Sequence, residues 1–271
     1  MNYIEYIINN INEEQADILV AELSGVGFDS FSEYDFIEES ISCYTLEKEE
    51  NIELISELLE NFTFTRKVIE QQNWNAEWES NFSPIEVGSQ CYIRATFHEP
   101  REVEHEIIIT PKMSFGTGHH PTTHLMVEFI LDYHFDGMQV LDMGSGTGIL
   151  AILAAQRGAA VVDAIDIDEW AYENCLENIV LNGVQTVVCP ILGNASHIDK
   201  RFDVVLANIN RNILLNDMPI YVESMRNQGN LFVSGILETD VPSIEERAVE
   251  LGLNRLQTKT RDGWAAIAFQ K

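Results

Sequence analysis

The sequence predicts an α/β protein in two parts, a small α+β domain followed by a larger, doubly wound domain. Three observations predict it. From Gly137 onward, apolar runs of strand length alternate strictly with stretches of helical periodicity, the pattern of a largely parallel sheet covered on both faces. The tail breaks that alternation: Arg255 to Thr260 and Trp264 to Phe269 flank the turn signal Arg261-Asp-Gly263, and strands joined so tightly run antiparallel. Residues 1–70 follow a different order, β-α-β-β-α-β, which is that of a ferredoxin-like fold.

Within residues 1–70, Tyr3 to Ile8 alternates like a strand, and Glu13 to Leu23 sets Ala16, Ile18, Leu19, Val20 and Leu23 at helical spacing. Ser24-Gly-Val-Gly27 stops that helix. Phe28 to Ile37 and Ile41 to Leu46 read as two strands, Asn51 to Leu59 as a second helix, and Phe64 to Ile69 as the closing strand. Residues 71–84 are expected to form a linker or hinge. There Trp74 and Trp78 stand four apart, a spacing that serves packing between elements or an aromatic edge facing a substrate. Residues 85–271 make up the large domain. It should open with extended segments at Cys91 to Thr96 and Ile107 to Thr110. Strands follow near 138–143, 160–165, 186–190, 202–208 and 229–236. Helices are expected over 149–157, 168–181, 211–226 and 240–251, with another beginning near Thr122.

Composition narrows the class. No apolar run approaches the ~18 residues of a membrane span, and Met1-Asn-Tyr-Ile-Glu-Tyr6 lacks the basic and apolar regions of a signal peptide. Cys43, Cys91, Cys175 and Cys189 form no CxxC pair, so reduced thiols in a cytoplasmic protein are expected rather than a disulfide frame or a zinc site. The net charge is −28, and it is uneven: residues 1–60 carry 16 acidic side chains against the single Lys48. Such a field disfavours direct binding to nucleic acid phosphates and attracts cationic partners.

Val140-Leu-Asp-Met-Gly-Ser-Gly-Thr-Gly-Ile-Leu-Ala-Ile152 reads as a buried strand, a loop with glycines at 144, 146 and 148, and the start of a helix. Bare backbone at Gly144 and Gly146 lets a ligand lie against the loop at the helix N-terminus. A second apolar run ends in Asp166, placed to accept hydrogen bonds from both hydroxyls of a ribose. The GxGxG spacing, rather than GxGxxG, favours S-adenosylmethionine over a dinucleotide. Asp142 either meets the amino group of that cofactor or braces the loop.

A second stretch, Met113-Ser-Phe-Gly-Thr-Gly-His-His-Pro-Thr-Thr-His124, joins a flexible loop to a helix with Pro121 in its first turn. Thr123 either donates to the charged end of the cofactor or simply caps the helix. His120 and His124 are four apart, but no neighbouring Cys or carboxylate completes a metal set, and packing or hydrogen-bonding roles are expected. Asn208 ends an apolar strand at the edge that carries the glycine loop. Its side-chain carbonyl could hold an incoming amine in line with a sulfonium methyl, or merely satisfy local backbone groups.

Taken together, Phe115-Gly-Thr-Gly-His-His-Pro-Thr-Thr123, Leu141 to Ile152, Ile165-Asp-Ile-Asp168 and Ala207-Asn-Ile209 closely resemble the bacterial ribosomal protein L-eleven methyltransferase family, PrmA. The Trp74–Trp78 segment and the small first domain match as well, so the resemblance covers nearly the whole chain. It implies a class I methyltransferase domain, Rossmann-like and seven-stranded, whose closing antiparallel hairpin NAD-binding domains usually lack. It implies a cofactor site at Thr123, Gly144, Asp166 and Asn208. It also implies methylation of lysine side chains and of the terminal amine of a large-subunit ribosomal protein, docked by the first domain. Asn210 departs from the pattern, since an apolar residue is expected there. Two rivals stand beside this reading: a methyltransferase acting on a small molecule or a glutamine amide, and a non-catalytic module binding a nucleoside and a ribosomal protein. The glutamine enzymes resemble an NPPY pattern, where this chain has Asn208-Ile-Asn210.

Overall fold

A computed structural model describes residues 2–69, 83–111 and 118–271. The chain divides into two compact units, Met1–Asn81 and Phe82–Lys271. Trp74 and Trp78, most of the expected linker, and the Phe115–Thr117 part of the second motif lie outside the described residues.

The first unit contains β1 (Tyr3–Asn9), α1 (Glu13–Ser24), β2 (Phe28–Phe31), β3 (Ser40–Leu46), α2 (Ile52–Leu58) and β4 (Thr63–Ile69). The sheet runs β2-β3-β1-β4 with every neighbouring pair antiparallel. Alternation along β1 sends Ile4, Tyr6 and Ile8 inward, where they meet Leu19 and Leu23 of α1 and Ile55 of α2 in one core. Asn12 starts α1 through a capping box with Gln15, each side chain taking the other's backbone N–H.

One element is shorter than its sequence suggests. Phe28 to Ile37 reads as one strand, yet β2 stops at Phe31. Beyond it, Asp35 accepts from the backbone N–H groups of Ile37 and Glu38 at 2.8 and 3.1 Å, and this local turn competes with the ladder. The apolar Phe36 and Ile37 are left 71% and 90% exposed at its tip.

The second unit opens with a three-stranded sheet of β5 (Ile85–Val87), β6 (Cys91–Ala95) and β7 (His105–Ile109). There follow α3 (Pro121–Asp132), β8 (Gln139–Met143), α4 (Ile149–Gln156), β9 (Val161–Asp166), α5 (Glu169–Leu181), β10 (Val188–Leu192) and β11 (Phe202–Asn208). The unit closes with α6 (Arg211–Ser224), β12 (Met225–Leu237), α7 (Val241–Glu250), β13 (Asn254–Arg261) and β14 (Trp264–Gln270). The main sheet has the order β10-β9-β8-β11-β12-β14-β13. Strands β8 to β12 pair in parallel, and β14 runs antiparallel to both of its neighbours.

Helices on both faces explain why these strands read as unbroken apolar runs. Successive residues serve opposite cores: Val140 and Leu206 pack with α3 and α4 on one face, Leu141 and Val205 with α6 and α7 on the other. Each such fully buried aliphatic side chain contributes about 1.5–3 kcal/mol. The order of the sheet is what builds the site, because it sets the carboxyl ends of β9, β8 and β11 side by side.

Candidate active site

The first half of the loop after β8 is held by β9. Gly144 and Ser145 donate their backbone N–H groups to the carbonyl of Ile165 at 2.8 and 3.1 Å. Gly146 donates to Oδ2 of Asp166 at 2.8 Å, while Oδ1 of the same carboxylate accepts from the backbone of Asp168 at 3.0 Å. Each carboxylate oxygen keeps a lone pair free, so Asp166 both fixes the loop and can still accept from vicinal hydroxyls. Gly148 then caps the start of α4 in a left-handed conformation. The loop thus leads into a helix N-terminus, where the dipole favours electron-rich groups.

Two strand spacings from Asp166, about 10 Å at the usual spacing, Asn208 ends β11 beside β8. Its Nδ2 lies 3.5 Å from Oγ1 of Thr123, so the geometry brings these two sequence-expected residues together from positions 85 apart in the chain. Thr123 is buried. It does not cap its helix: His120 does, its ring accepting from the N–H of Thr122, with Nδ1 2.8 Å from the Thr122 hydroxyl. The Thr123 hydroxyl is thereby left to the site. His120 is braced by the Trp264 ring, 4.5 Å away between centroids.

Sequence reasoning missed the residue that locks these parts together. Ile209 follows Asn208, and its side chain lies against Gly144, where a Cβ would overlap Cγ2 of the isoleucine. Its backbone lies against Gly235 inside β12, where a Cβ would overlap the Ile209 carbonyl. Both glycines have positive φ, +74° and +83°. A glycine within a strand signals close backbone approach, and Gly235 was legible in that sense. Only the sheet order reveals what approaches it.

Asp142 is buried beneath the loop. Its Oδ2 accepts from the Ala151 N–H at 3.0 Å, so it braces the first turn of α4 rather than the glycines themselves. Its Oδ1 has no hydrogen-bond partner among the described residues. Burial pushes its carboxyl up to about 7, the Ala151 hydrogen bond opposing this and the Asp166 charge adding to it.

The histidines that suggest a metal are dispersed. His119 meets the Ser83 carbonyl at 2.8 Å, His120 caps α3, and His124 pairs with Glu128 at 3.2 Å. Asn210, where an apolar residue is expected, caps α6 by accepting from the Ile213 N–H at 3.1 Å. Asp168 caps α5 in the same way through Trp170, at 2.8 Å. Cys175 is buried against Gly148, its Sγ 2.8 Å from where a Cβ would stand, and burial raises its thiol to about 12.

Comparison with known proteins agrees with this arrangement. Residues 27–271 match the family model described as ribosomal protein L11 methyltransferase (PrmA). A ribosomal protein L11 methyltransferase of Bacteroides fragilis is 43% identical over 99% of both chains. One of Porphyromonas gingivalis is 42% identical over 95% of this chain and 91% of its own. Among solved structures, a ribosomal protein L11 methylase of Lactobacillus delbrueckii subsp. bulgaricus is similar with a TM-score of 0.65 and 28% identity. That likeness covers 69% of this chain and 98% of that one. The chain therefore belongs to the ribosomal protein L11 methyltransferase family, a mixed α/β methyltransferase fold about a central parallel sheet, and it is a protein methyltransferase.

Proposed function

We propose that the chain transfers methyl groups from S-adenosylmethionine to amines of ribosomal protein L11, both lysine side chains and the N-terminal amine. The observation that carries the chemistry is the meeting of Thr123 and Asn208 beside the glycine loop, two strand spacings from Asp166. That span suits a ligand with a ribose at one end and a charged amino acid at the other. The residues fit it: a carboxylate for the ribose hydroxyls, loop backbone at positive φ through Gly144 and Gly146, and a buried hydroxyl and an amide at the far end.

When bound, this cofactor supplies an electrophilic methyl on a sulfonium. The protein's part is to position the incoming nitrogen. Thr123 would hold the donor's amino-acid end, and the Asn208 side-chain carbonyl would accept from the substrate amine. A free lysine, with a pKa near ~10.4, must lose its proton before transfer. Water carries that proton away.

Residues 1–70 form the recognition domain, of ferredoxin-like order, with 71–84 as the hinge and 85–271 as the seven-stranded class I methyltransferase domain. The acidity of residues 1–60 suits a basic ribosomal protein, free or assembled, and argues against direct nucleic acid contact. Such a substrate places the enzyme in the cytoplasm. No helix among the described residues is long and apolar enough to cross a membrane.

Incubation with labelled S-adenosylmethionine and separated ribosomal proteins tests the reading. Label should appear in L11, and Asn208→Ala should abolish it while L11 still binds. Label in another protein, or in none, overturns the assignment.

A further inference from the structure

Helix α5 and its C-cap carry three asparagines, Asn174, Asn178 and Asn182, at four-residue spacing, and all three reach the open edge of β7 and the Thr110 that follows it. Asn182 accepts from the N–H of Ile108 at 2.8 Å and donates to the carbonyl of the same residue at 2.6 Å. One step along, Asn178 accepts from the N–H of Thr110 at 2.8 Å, and Asn174 donates to the Thr110 carbonyl at 3.1 Å. Four helical residues rise about 6.0 Å and two strand residues about 6.6 Å, so the side-chain amides keep register with alternate peptide groups of the strand. The helix thus stands in for a missing neighbouring strand, and the buried edge of β7 is satisfied without one.

Asn178 differs from Asn182 in one respect. Its Nδ2 turns away from β7 and donates at 2.8 Å to the carbonyl of Thr147 in the glycine loop. Asn178 is fully buried, as is Thr147 at 1% exposure. A single amide therefore ties the strand edge to the loop. The loop's other side is fixed by the Ile165 carbonyl and the Asp166 carboxylate, so Asn178 is the opposing anchor.

We propose that Asn178 is a positioning residue for the cofactor: its amide bridges β7 to the Thr147 carbonyl and fixes the glycine loop from the side opposite Asp166. It touches neither methyl donor nor amine. It orients the peptide planes on which the nucleoside lies. The cofactor part of this inference rests on the S-adenosylmethionine reading of the site, and the bridge itself does not.

The test pairs Asn178→Asp with Asn182→Asp. Both replacements keep an oxygen for the strand N–H and remove a donor, buried at 178 and half-buried at 182, so both should lower stability. Only Asn178→Asp cuts the tether to the loop. Hydrogen exchange without cofactor should quicken about tenfold or more over 144–148 in Asn178→Asp and stay at the wild-type rate there in Asn182→Asp, since a buried hydrogen bond lost accounts for a change of this order. The Kd for S-adenosylmethionine should rise about tenfold in the first variant and less than about twofold in the second. Equal loop exchange in the two variants, or a Kd that follows the loss of Tm in both, overturns the proposal. Should Asn178→Asp fail to fold, Asn178→Ser, which is uncharged and too short to bridge, carries the same comparison. Failure of the wild-type protein to bind S-adenosylmethionine would refute the cofactor reading, while the exchange data would still judge the bridge.

Discussion

The two units of this chain solve different problems with the same elements. The larger buries two apolar cores, one on each face of a central sheet, and keeps its polar chemistry at one edge where three strands end. The smaller has one core under one sheet, leaves Phe36 and Ile37 exposed on a tight turn, and carries most of the acidic excess. In the larger unit function depends on positions held to fractions of an ångström. In the smaller, on the function proposed above, it would depend on a field, which tolerates small displacements and loses strength with salt. Substitutions should therefore act sharply in one unit and gradually in the other.

The largest effect is expected at Gly144. A side chain there meets Ile209 and is strained at positive φ, so Gly144→Val should weaken S-adenosylmethionine binding about a thousandfold, roughly 4 kcal/mol. Calorimetric titration reads this directly, and affinity within threefold of wild type would break the comparison at its strong end.

Asp142 comes next. Its buried carboxyl holds its proton up to about 7, whereas in the unfolded chain it ionises near ~3.9. The folded protein then binds more protons across that window, so this group makes stability fall as pH rises from about 4 to 7. Asp142→Asn should remove that slope and raise the stability of the cofactor-free protein at pH 7 by as much as a few kcal/mol, roughly 3. Urea unfolding at pH 4.5 and pH 7 decides it, and an unchanged pH slope would show the group to be ionised in the fold.

A smaller, graded effect is expected in the first unit. Neutralising Glu33, Asp35, Glu38 and Glu39 to their amides keeps the Asp35 turn acceptor but removes four charges. Capture of L11 should weaken about fivefold at low salt and hardly at all at high salt, with cofactor affinity intact. Loss of affinity that is independent of salt would point to shape rather than field. Smallest of all, Ile37→Ser should change stability by less than ~0.5 kcal/mol, because the side chain is 90% exposed. A larger loss in thermal melting would mean that the tip is part of a packed surface.

What was legible in the sequence was local. The glycine loop was marked by its own glycine spacing after an apolar strand, and Asp166 by ending the next apolar run, signals that each lie within a few residues. Thr123 and Asn208 were legible individually, but whether they cap and satisfy local groups or face a ligand was not. The structure shows that His120 rather than Thr123 takes the cap, and it brings Thr123 and Asn208 within 3.5 Å of each other. The Ile209 lock and the asparagine bridge were not legible at all. Each joins segments from separate strands and helices, and a lone Gly235 or Asn178 carries no mark of its partner. The overlong reading of β2 failed for the opposite reason, since a side chain at Asp35 overrode a correct apolar pattern.

The placement of β14 between β12 and β13 bears on how the protein is made. Strand β13 lies at the edge of the sheet and pairs only with β14, so it has no partner until residues 264–270 have been synthesised. The strands of the cofactor site, β8, β9 and β11, pair with one another and are complete much earlier in synthesis. On the ribosome, the half of the sheet that carries the candidate site can assemble while the other half still waits, and that other half closes last, through pairings closer in sequence than the Val140–Val204 contact that joins β8 to β11.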